Sequence, residues 1–549
     1  MKHTSLKTPS RRWLPAVAVP GVIALSLGLA SCSSSDSDDA GLLQTDKSAA
    51  TFEETTIISD ATGIELSEKL FGSSDDVVIA SAALQDQWEG AQEAVRLGAP
   101  LLVLDSATED AADRIDAEVE RLGAENVHRF EDNAADAGKP ADAEAINTEL
   151  ATPDAAISPE VAADIAATEE AALADAGAEM QANLEVHDAT VLTTATPQGL
   201  VITHVADLEA EDKYEEQAPV LVNGSTSVAE AATARAKGLE LSVLQSSDPR
   251  ESVEVMEDPS QNLLVLGKSF ADEDDFNTRL ELAENGEING GGGTVFPGRR
   301  MIALYGHPSG PALGALGEQP LEEAVTRVTE MVADYQQYTS EPVIPAFEII
   351  ATVAASEPGP GGNYTNYTDP AELQPWIDAI TAAGGYAVID LQPGRATFLE
   401  QAKYYEDLLK NPNVGLALDP EWRIGPDELP LQRIGSVTAA EINETADWLA
   451  ELVRENDLPQ KALVLHQFKM GMIENRSELK TDIPELSFVL HADGHGTPDL
   501  KFGTWGVLQQ DMPANIFMAW KNFYDEDDPT FTPEQTYAVD PRPWFVSYQ

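Results

Sequence analysis

Three acids stand at the ends of apolar runs. Asp390 closes YAVID, and Asp419 and Glu421 close VGLALDPEW. Hydrolysis of a glycosidic bond needs such carboxyls: one protonates the leaving oxygen and another acts as base or nucleophile. Glu421 suits the acid, because Trp422 beside it would exclude water and favour the protonated form. Asp390 suits the partner. Asp419 shares Glu421's side of its segment and competes for the role. A solvated pairing of Glu421 with Arg423 would instead leave the acid inert. A second constellation is His491-Ala492-Asp493-Gly494-His495. Alternate residues of extended chain face one way, so His491, Asp493 and His495 could meet one divalent ion, with His466 nearby. The same groups could equally hydrogen-bond a sugar. The carboxylate chemistry needs no cofactor; the histidine chemistry needs a metal.

Other polar residues follow apolar runs in the same way. His307, Arg395, Trp422, His466, Gln467, His491, Asp493, Trp520 and Lys521 are the candidate substrate contacts. Tyr364, Tyr367, Trp422 and Trp520 offer rings for stacking on sugars. Glu357 is a further acid after its run. There is no Gly-x-Ser-x-Gly, no phosphate-binding Gly-Lys-Ser/Thr loop and no cysteine in this half of the chain.

The elements that must position these groups alternate. YAVIDL and VGLAL flank a helical run with Phe398, Ala402, Tyr405 and Leu409 on one face, a β-α-β unit. Further apolar runs are Arg299–Pro308, Val343–Ala354, Lys461–Phe468, Leu486–Gly496 and Asn515–Phe523. Helical stretches at Leu321–Tyr338, Pro370–Gly385 and Ala439–Asn456 separate most of them, the last with a cap at Ser436-Val437-Thr438. Seven strands are evident, and an eighth is expected within Phe502–Gln510. About 255 residues follow the Gly run Asn289–Gly293, the usual size of a TIM-like (β/α)8 barrel, here irregular towards its end. In such a barrel the strand-end residues converge on one mouth. At the level of fold and strand-end acids alone, this half resembles glycoside hydrolases.

The N-terminal half also alternates strand and helix, so its sheets should be mostly parallel. Part of it recurs: Ala91, Ala94, Gly98, Leu104 and Ser106 match Ala231, Ala234, Gly238, Leu244 and Ser246. Thr62, Asp86, Leu97-Gly98-Ala99-Pro100, the strand Leu101 to Ser106 and Arg121-Leu122-Gly123-Ala124 resemble the cell wall-binding repeat type 2 family. The resemblance implies tandem α/β repeats that hold a protein on a cell-envelope polymer. Ala134–Asn183, rich in Ala, Asp and Glu, reads as a solvated helix or an insertion.

Charge and targeting bound the setting. The chain carries 95 acidic against 33 basic residues, which disfavours nucleic acid and broad adhesion to anionic lipid. Cys32 is the one cysteine, so no internal disulfide forms. A basic start, an apolar segment and Leu29-Ala30-Ser31-Cys32 form a signal-peptide pattern that resembles a bacterial lipobox. The resemblance implies cleavage before Cys32, acylation of its thiol and a membrane anchor on the extracytoplasmic face. The expected plan is a signal peptide at 1–31, a flexible tether at 32–50, the repeat-like region at 51–288 and the barrel at 289–549. Cys32→Ser should leave the precursor uncleaved and without fatty acid, read by labelled-lipid incorporation and gel mobility. Unchanged cleavage and membrane retention would refute the lipoprotein reading.

Overall fold

The structure, a computed structural model, describes residues 43–45, 49–104, 110–131, 193, 196–211 and 213–549. The signal segment with Cys32 and the Ala134–Asn183 segment lie outside the described residues.

The C-terminal half is a closed parallel barrel of eight strands. In chain order they are β1 (Arg300–Gly306), β2 (Val343–Ala354), β3 (Tyr386–Leu391) and β4 (Val414–Leu418). Then come β5 (Lys461–Gln467), β6 (Leu486–Ala492), β7 (Ile516–Asn522) and β8 (Phe545–Tyr548). Each pairs in parallel with its neighbours, and β1 bonds to both β8 and β2, which leaves no free edge. Thr365–Tyr367 adds a short antiparallel strand to the end of β2. Both faces of the barrel strands are buried, which explains their near-continuous Val, Ile, Leu and Ala runs.

The two-residue alternation sorts those runs into an inside and an outside. Ala303, Ala346, Val388, Ala417, Val464, Val489 and Ala519 fill the interior. Leu304, Phe347, Ile389, Leu416, Leu465 and Leu490 pack outward with the helices. Helices follow most strands, including Leu321–Gln336, Pro370–Ala382, Phe398–Tyr404, Ala439–Glu455 and Pro498–Gln509. Thr438 caps the fourth of these by accepting from the Glu441 amide. Between β5 and β6 the crossover helix is replaced by short turns at Met470–Met472 and Arg476–Glu478. Arg476 pins that connection through the carbonyls of Leu508 and Gln510.

The eighth strand differs from expectation. Phe502 to Gln509 lie within the helix Pro498–Gln509, which Gln510 ends, because Lys501, Trp505 and Leu508 are buried at helical spacing behind a Pro498 start. The strand that closes the barrel is Phe545–Tyr548, only four residues long and preceded by Pro541 and Pro543.

The N-terminal half forms separate, mostly parallel sheets. Asp76–Ser81 lies between Leu101–Leu104 and Asn126–Phe130. Val220–Val222 lies between Leu241–Val243 and Leu264–Leu266, and Thr56–Ile58 adds to the last. Helices Leu84–Leu97 and Val228–Ala236 pack on one another. Small residues such as Ala91, Ala94, Ala231 and Ala234 make that close approach possible. Within the span expected as a tether, Leu43–Thr45 pairs antiparallel with Ala49–Phe52.

A buried ionic cluster fastens this half to the barrel. Asp248 accepts from Arg250 Nε at 2.9 Å and Nη2 at 2.7 Å, and from Arg279 Nη1 at 3.0 Å. Arg250 also donates to the Pro484 carbonyl at 2.7 Å, and Arg279 to Asp482 Oδ1 at 3.3 Å, both on the approach to β6. Burial opposes ionisation of Asp248, but the two guanidiniums outweigh it and hold the carboxyl at about 2. A depressed carboxyl stabilises the fold above its unfolded value and loses that contribution as pH falls towards the folded one. Asp248→Asn should therefore lose stability at pH 7, and its loss of stability between pH 4 and 2 should be weaker than wild type by on the order of 2 kcal/mol. Urea midpoints measured against pH test this.

Candidate active site

Continuing the inward alternation by one step places a polar residue above each interior apolar one. Tyr305 follows Ala303, Glu348 follows Ala346, and Asp390 follows Val388. Asp419, just past β4, follows Ala417; His466 follows Val464, and His491 follows Val489. Lys521 follows Ala519, and Ser547 follows Phe545. All eight are buried at one level of eight adjacent strands, seven of them at or near the C-terminal strand ends and Glu348 within the longer β2. One apolar-to-polar switch, repeated at the same depth, builds the mouth.

The side chains are linked. Tyr305 donates to Asp390 Oδ2 at 2.9 Å, and Lys521 Nζ stands 3.5 Å from the centre of the Tyr305 ring. His466 bridges two acids, with Nε2 at 2.8 Å from Glu348 Oε1 and Nδ1 at 3.0 Å from Asp493 Oδ2. His491 lies between Ser547 Oγ, 3.1 Å from its Nε2, and Glu348 Oε1, 3.6 Å from its Nδ1. Glu348 Oε2, Asp390 Oδ1, His491 Nδ1 and Asp493 Oδ1 are buried without a hydrogen-bond partner among the described residues.

Glu421 comes from the 3-10 turn Pro420–Trp422 that follows β4. Asp419 caps that turn, accepting from the Glu421 amide at 3.3 Å. Gly435 closes over it, donating to the Glu421 carbonyl at 2.6 Å. A Cβ at Gly435 would stand within 2.6 Å of the carbonyls of Pro420, Glu421 and Arg423, so only glycine fits. Arg423 does not neutralise Glu421, because its guanidinium is bonded to Glu441 at 2.9 and 3.1 Å.

Burial and like charge shift these acids together. Burial, reinforced by the Asp493 charge, pushes Glu421 up to about 7. Burial pushes Asp390 up to about 6, with the Glu348 charge adding to it and the Tyr305 hydrogen bond working the other way. Asp419 is raised well above the usual carboxylate range by burial and by Asp390. Burial opposes charge on His466, but Glu348 and Asp493 outweigh it and raise the imidazole well above its ordinary value. His491 is lowered, chiefly by burial.

Of the residues expected at a site, Asp390, Asp419, Glu421, His466, His491, Asp493 and Lys521 do converge, each within the field of others in the group. Trp422 is half-buried on the Glu421 turn. Four others do not join the cluster. Trp520 points outward into the helix layer, stacked on Phe531 with Nε1 on Asn522 Oδ1, because it is out of phase with Lys521. Gln467 is out of phase with His466 and holds the carbonyls of Lys469 and Met470. His307 is fixed between Ser309 Oγ and Thr368 Oγ1. Arg395 donates twice to the Glu428 carbonyl and covers the Tyr364 ring. The expected trio His491, Asp493 and His495 does not assemble either, since His495 is exposed against Phe523. Among the described residues, the groups whose donor atoms come within 4.8 Å of one another are Glu348, His466 and His491.

Tyr305, Glu348 and Ser547 were not anticipated. Glu348 is the one charged residue in VIPAFEIIATVA, and counting by twos from Ala346 would have found it. No protein-family model matches the chain, and no curated protein matches it. The site is therefore read from its own geometry.

A carboxyl whose folded value lies above its unfolded one costs stability once pH exceeds the folded value, and costs nothing below the unfolded one. Glu421→Gln should therefore melt above wild type at pH 8 and level with it at pH 4, read by calorimetry. A variant less stable than wild type at pH 8 would contradict the raised value.

Proposed function

We propose that the barrel is a glycan-active hydrolase on a cell-surface lipoprotein anchored through Cys32. The observation that carries this reading is the convergence of Asp390, Asp419 and Glu421 in one buried mouth with Glu421 shifted to about 7. Glycoside hydrolysis needs one carboxyl protonated and one ionised at the same pH. Glu421 is the proton donor to the leaving oxygen. Asp390, lower at about 6 and steadied by the Tyr305 hydroxyl, is the base or nucleophile on the other side of the bond. Asp419 holds the Glu421 turn by accepting from the Glu421 amide. Lys521 is the cation nearest the pair, over the Tyr305 ring, and half-buried Trp422 offers a ring beside Glu421. The net charge of −62 favours an uncharged or cationic envelope glycan over an anionic polymer. The N-terminal region, by its resemblance to cell wall-binding repeats, would hold the barrel near that glycan.

The test is reducing-end release by the purified full-length chain from a panel of envelope polysaccharides. Release should fall by about 10²–10⁴-fold in Glu421→Gln, and the wild-type rate should decline as pH rises through 7. Release undiminished in the variant would remove Glu421 from the chemistry. Glycan binding without release by the wild type would make the barrel a binding protein.

A further inference from the structure

Beside the proposed acid pair lies a second group that glycosidic hydrolysis does not use. Glu348 Oε1 faces His466 Nε2 at 2.8 Å and His491 Nδ1 at 3.6 Å, and all three residues are fully buried. We infer that Glu348, His466 and His491 bind a divalent transition-metal ion, with Asp493 and Ser547 orienting the two imidazoles.

The far side of each ring decides which nitrogen faces the centre. Asp493 Oδ2 accepts from His466 Nδ1–H, which leaves Nε2 as the donor atom towards Glu348. Ser547 Oγ lies 3.1 Å from His491 Nε2 and can accept from an Nε2–H, the tautomer in which the Nδ1 lone pair turns inward to a metal. A carboxylate behind a ligating imidazole is the usual way a protein fixes its tautomer. His491 Nδ1, which faces Glu348 Oε1, has no hydrogen-bond partner among the described residues, and neither has the second carboxylate oxygen, Glu348 Oε2. Ligands about 2.1 Å from a tetrahedral ion stand roughly 3.4 Å apart, and the observed spacings bracket that value.

Charge points the same way. Glu348, Asp390, Asp419, Glu421 and Asp493 crowd one mouth in which Lys521 is the lysine. A dication between Glu348 and the imidazoles replaces the shared proton of the Glu348–His466 contact and adds charge where the acids need it. Two imidazoles and one carboxylate suit zinc, cobalt or iron(II) rather than magnesium or calcium, which prefer all-oxygen sites. Three protein ligands leave a coordination position for water or substrate.

The experiment loads the full-length chain, produced without a histidine tag. The protein is stripped with chelator, exposed separately to Zn(II), Co(II) and Mg(II), freed of unbound ion, and its metal content is measured by mass spectrometry. Zn(II) or Co(II) should remain at about one ion per chain, Mg(II) should wash away, and bound Co(II) should show ligand-field absorption. Glu348→Gln and His491→Ala should abolish retention. Asp493→Asn should weaken affinity by about 10–100-fold, while His495→Ala should match wild type. Circular dichroism identifies the variants that fold, and the isosteric Glu348→Gln and Asp493→Asn keep the test open should His491→Ala not fold. No uptake by wild type, equal uptake by Glu348→Gln, or loss in His495→Ala equal to that in His491→Ala would overturn the site. Metal content is read without any glycan, so this inference and the hydrolase reading fail separately.

Discussion

The row Glu348–His466–Asp493 sets the terms for everything in the barrel mouth. Two carboxylates are taken out of water with one imidazole between them, and neither has a guanidinium partner among the described residues. Buried anions are tolerated only when paired and hydrogen-bonded, and losing one partner of such a pair costs about 3–5 kcal/mol. The same imidazole also acts on Asp390 and Asp419, so it is shared among more acids than it can balance. Asp390, Asp419 and Glu421 respond in the only way open to them, by holding protons more tightly. The raised proton affinity of these acids is a consequence of scarce positive charge.

That scarcity does not follow from the composition alone, because the barrel does contain cations. They are committed elsewhere. Arg423 is bonded to Glu441, Arg395 to the Glu428 carbonyl, and Lys501 to Asp527. Lys461 is buried at the barrel's other end and bonds the carbonyls of Asn411 and Val414. Each joins a loop or a strand end to its neighbour. Lys521 alone among these lysines reaches the mouth, and it does so because it is in phase with Ala519 on β7. The strand register therefore decides which cations serve the scaffold and which serve the site.

Register also explains how far the sequence could be read. Apolar runs, helical spacing and the glycine run at Asn289–Gly293 made the barrel legible, because buried parallel strands leave long runs of Val, Ile and Leu. Acids and histidines at the strand ends were legible as a set, hence Asp390, Asp419, Glu421, His466 and His491. Which neighbour turns inward was not legible from the strand end alone. Gln467 and Trp520 sit one residue from His466 and Lys521 and face the helices instead. Glu348 was hidden for the opposite reason: β2 continues six residues beyond it, so it does not stand at a strand end at all. The closing strand was missed because four residues between prolines and the chain's last residue carry too little pattern to count.

The placement of Glu421 shows how the scaffold reaches the chemistry without touching it. Glu421 is not on a strand but on a single 3-10 turn, an element too short to hold a side chain by itself. Backbone bonds fix it on several sides. Gly435 grips its carbonyl, the Ile424 amide donates to Gly394, and the Ser436 amide to Arg423. Arg395, next to Gly394, then reaches across to the Glu428 carbonyl and secures the 425–435 loop that carries Gly435. The β3 and β4 loops are thereby one unit, and the distance between Asp390 and Glu421 is set by that unit rather than by either side chain. Arg395 links the two loops. A strand-end arginine read as a ligand contact turns out to tie down a loop, and the proposed acid–base chemistry across a glycosidic bond would need its two carboxyls held in place more than one further hydrogen bond to the sugar.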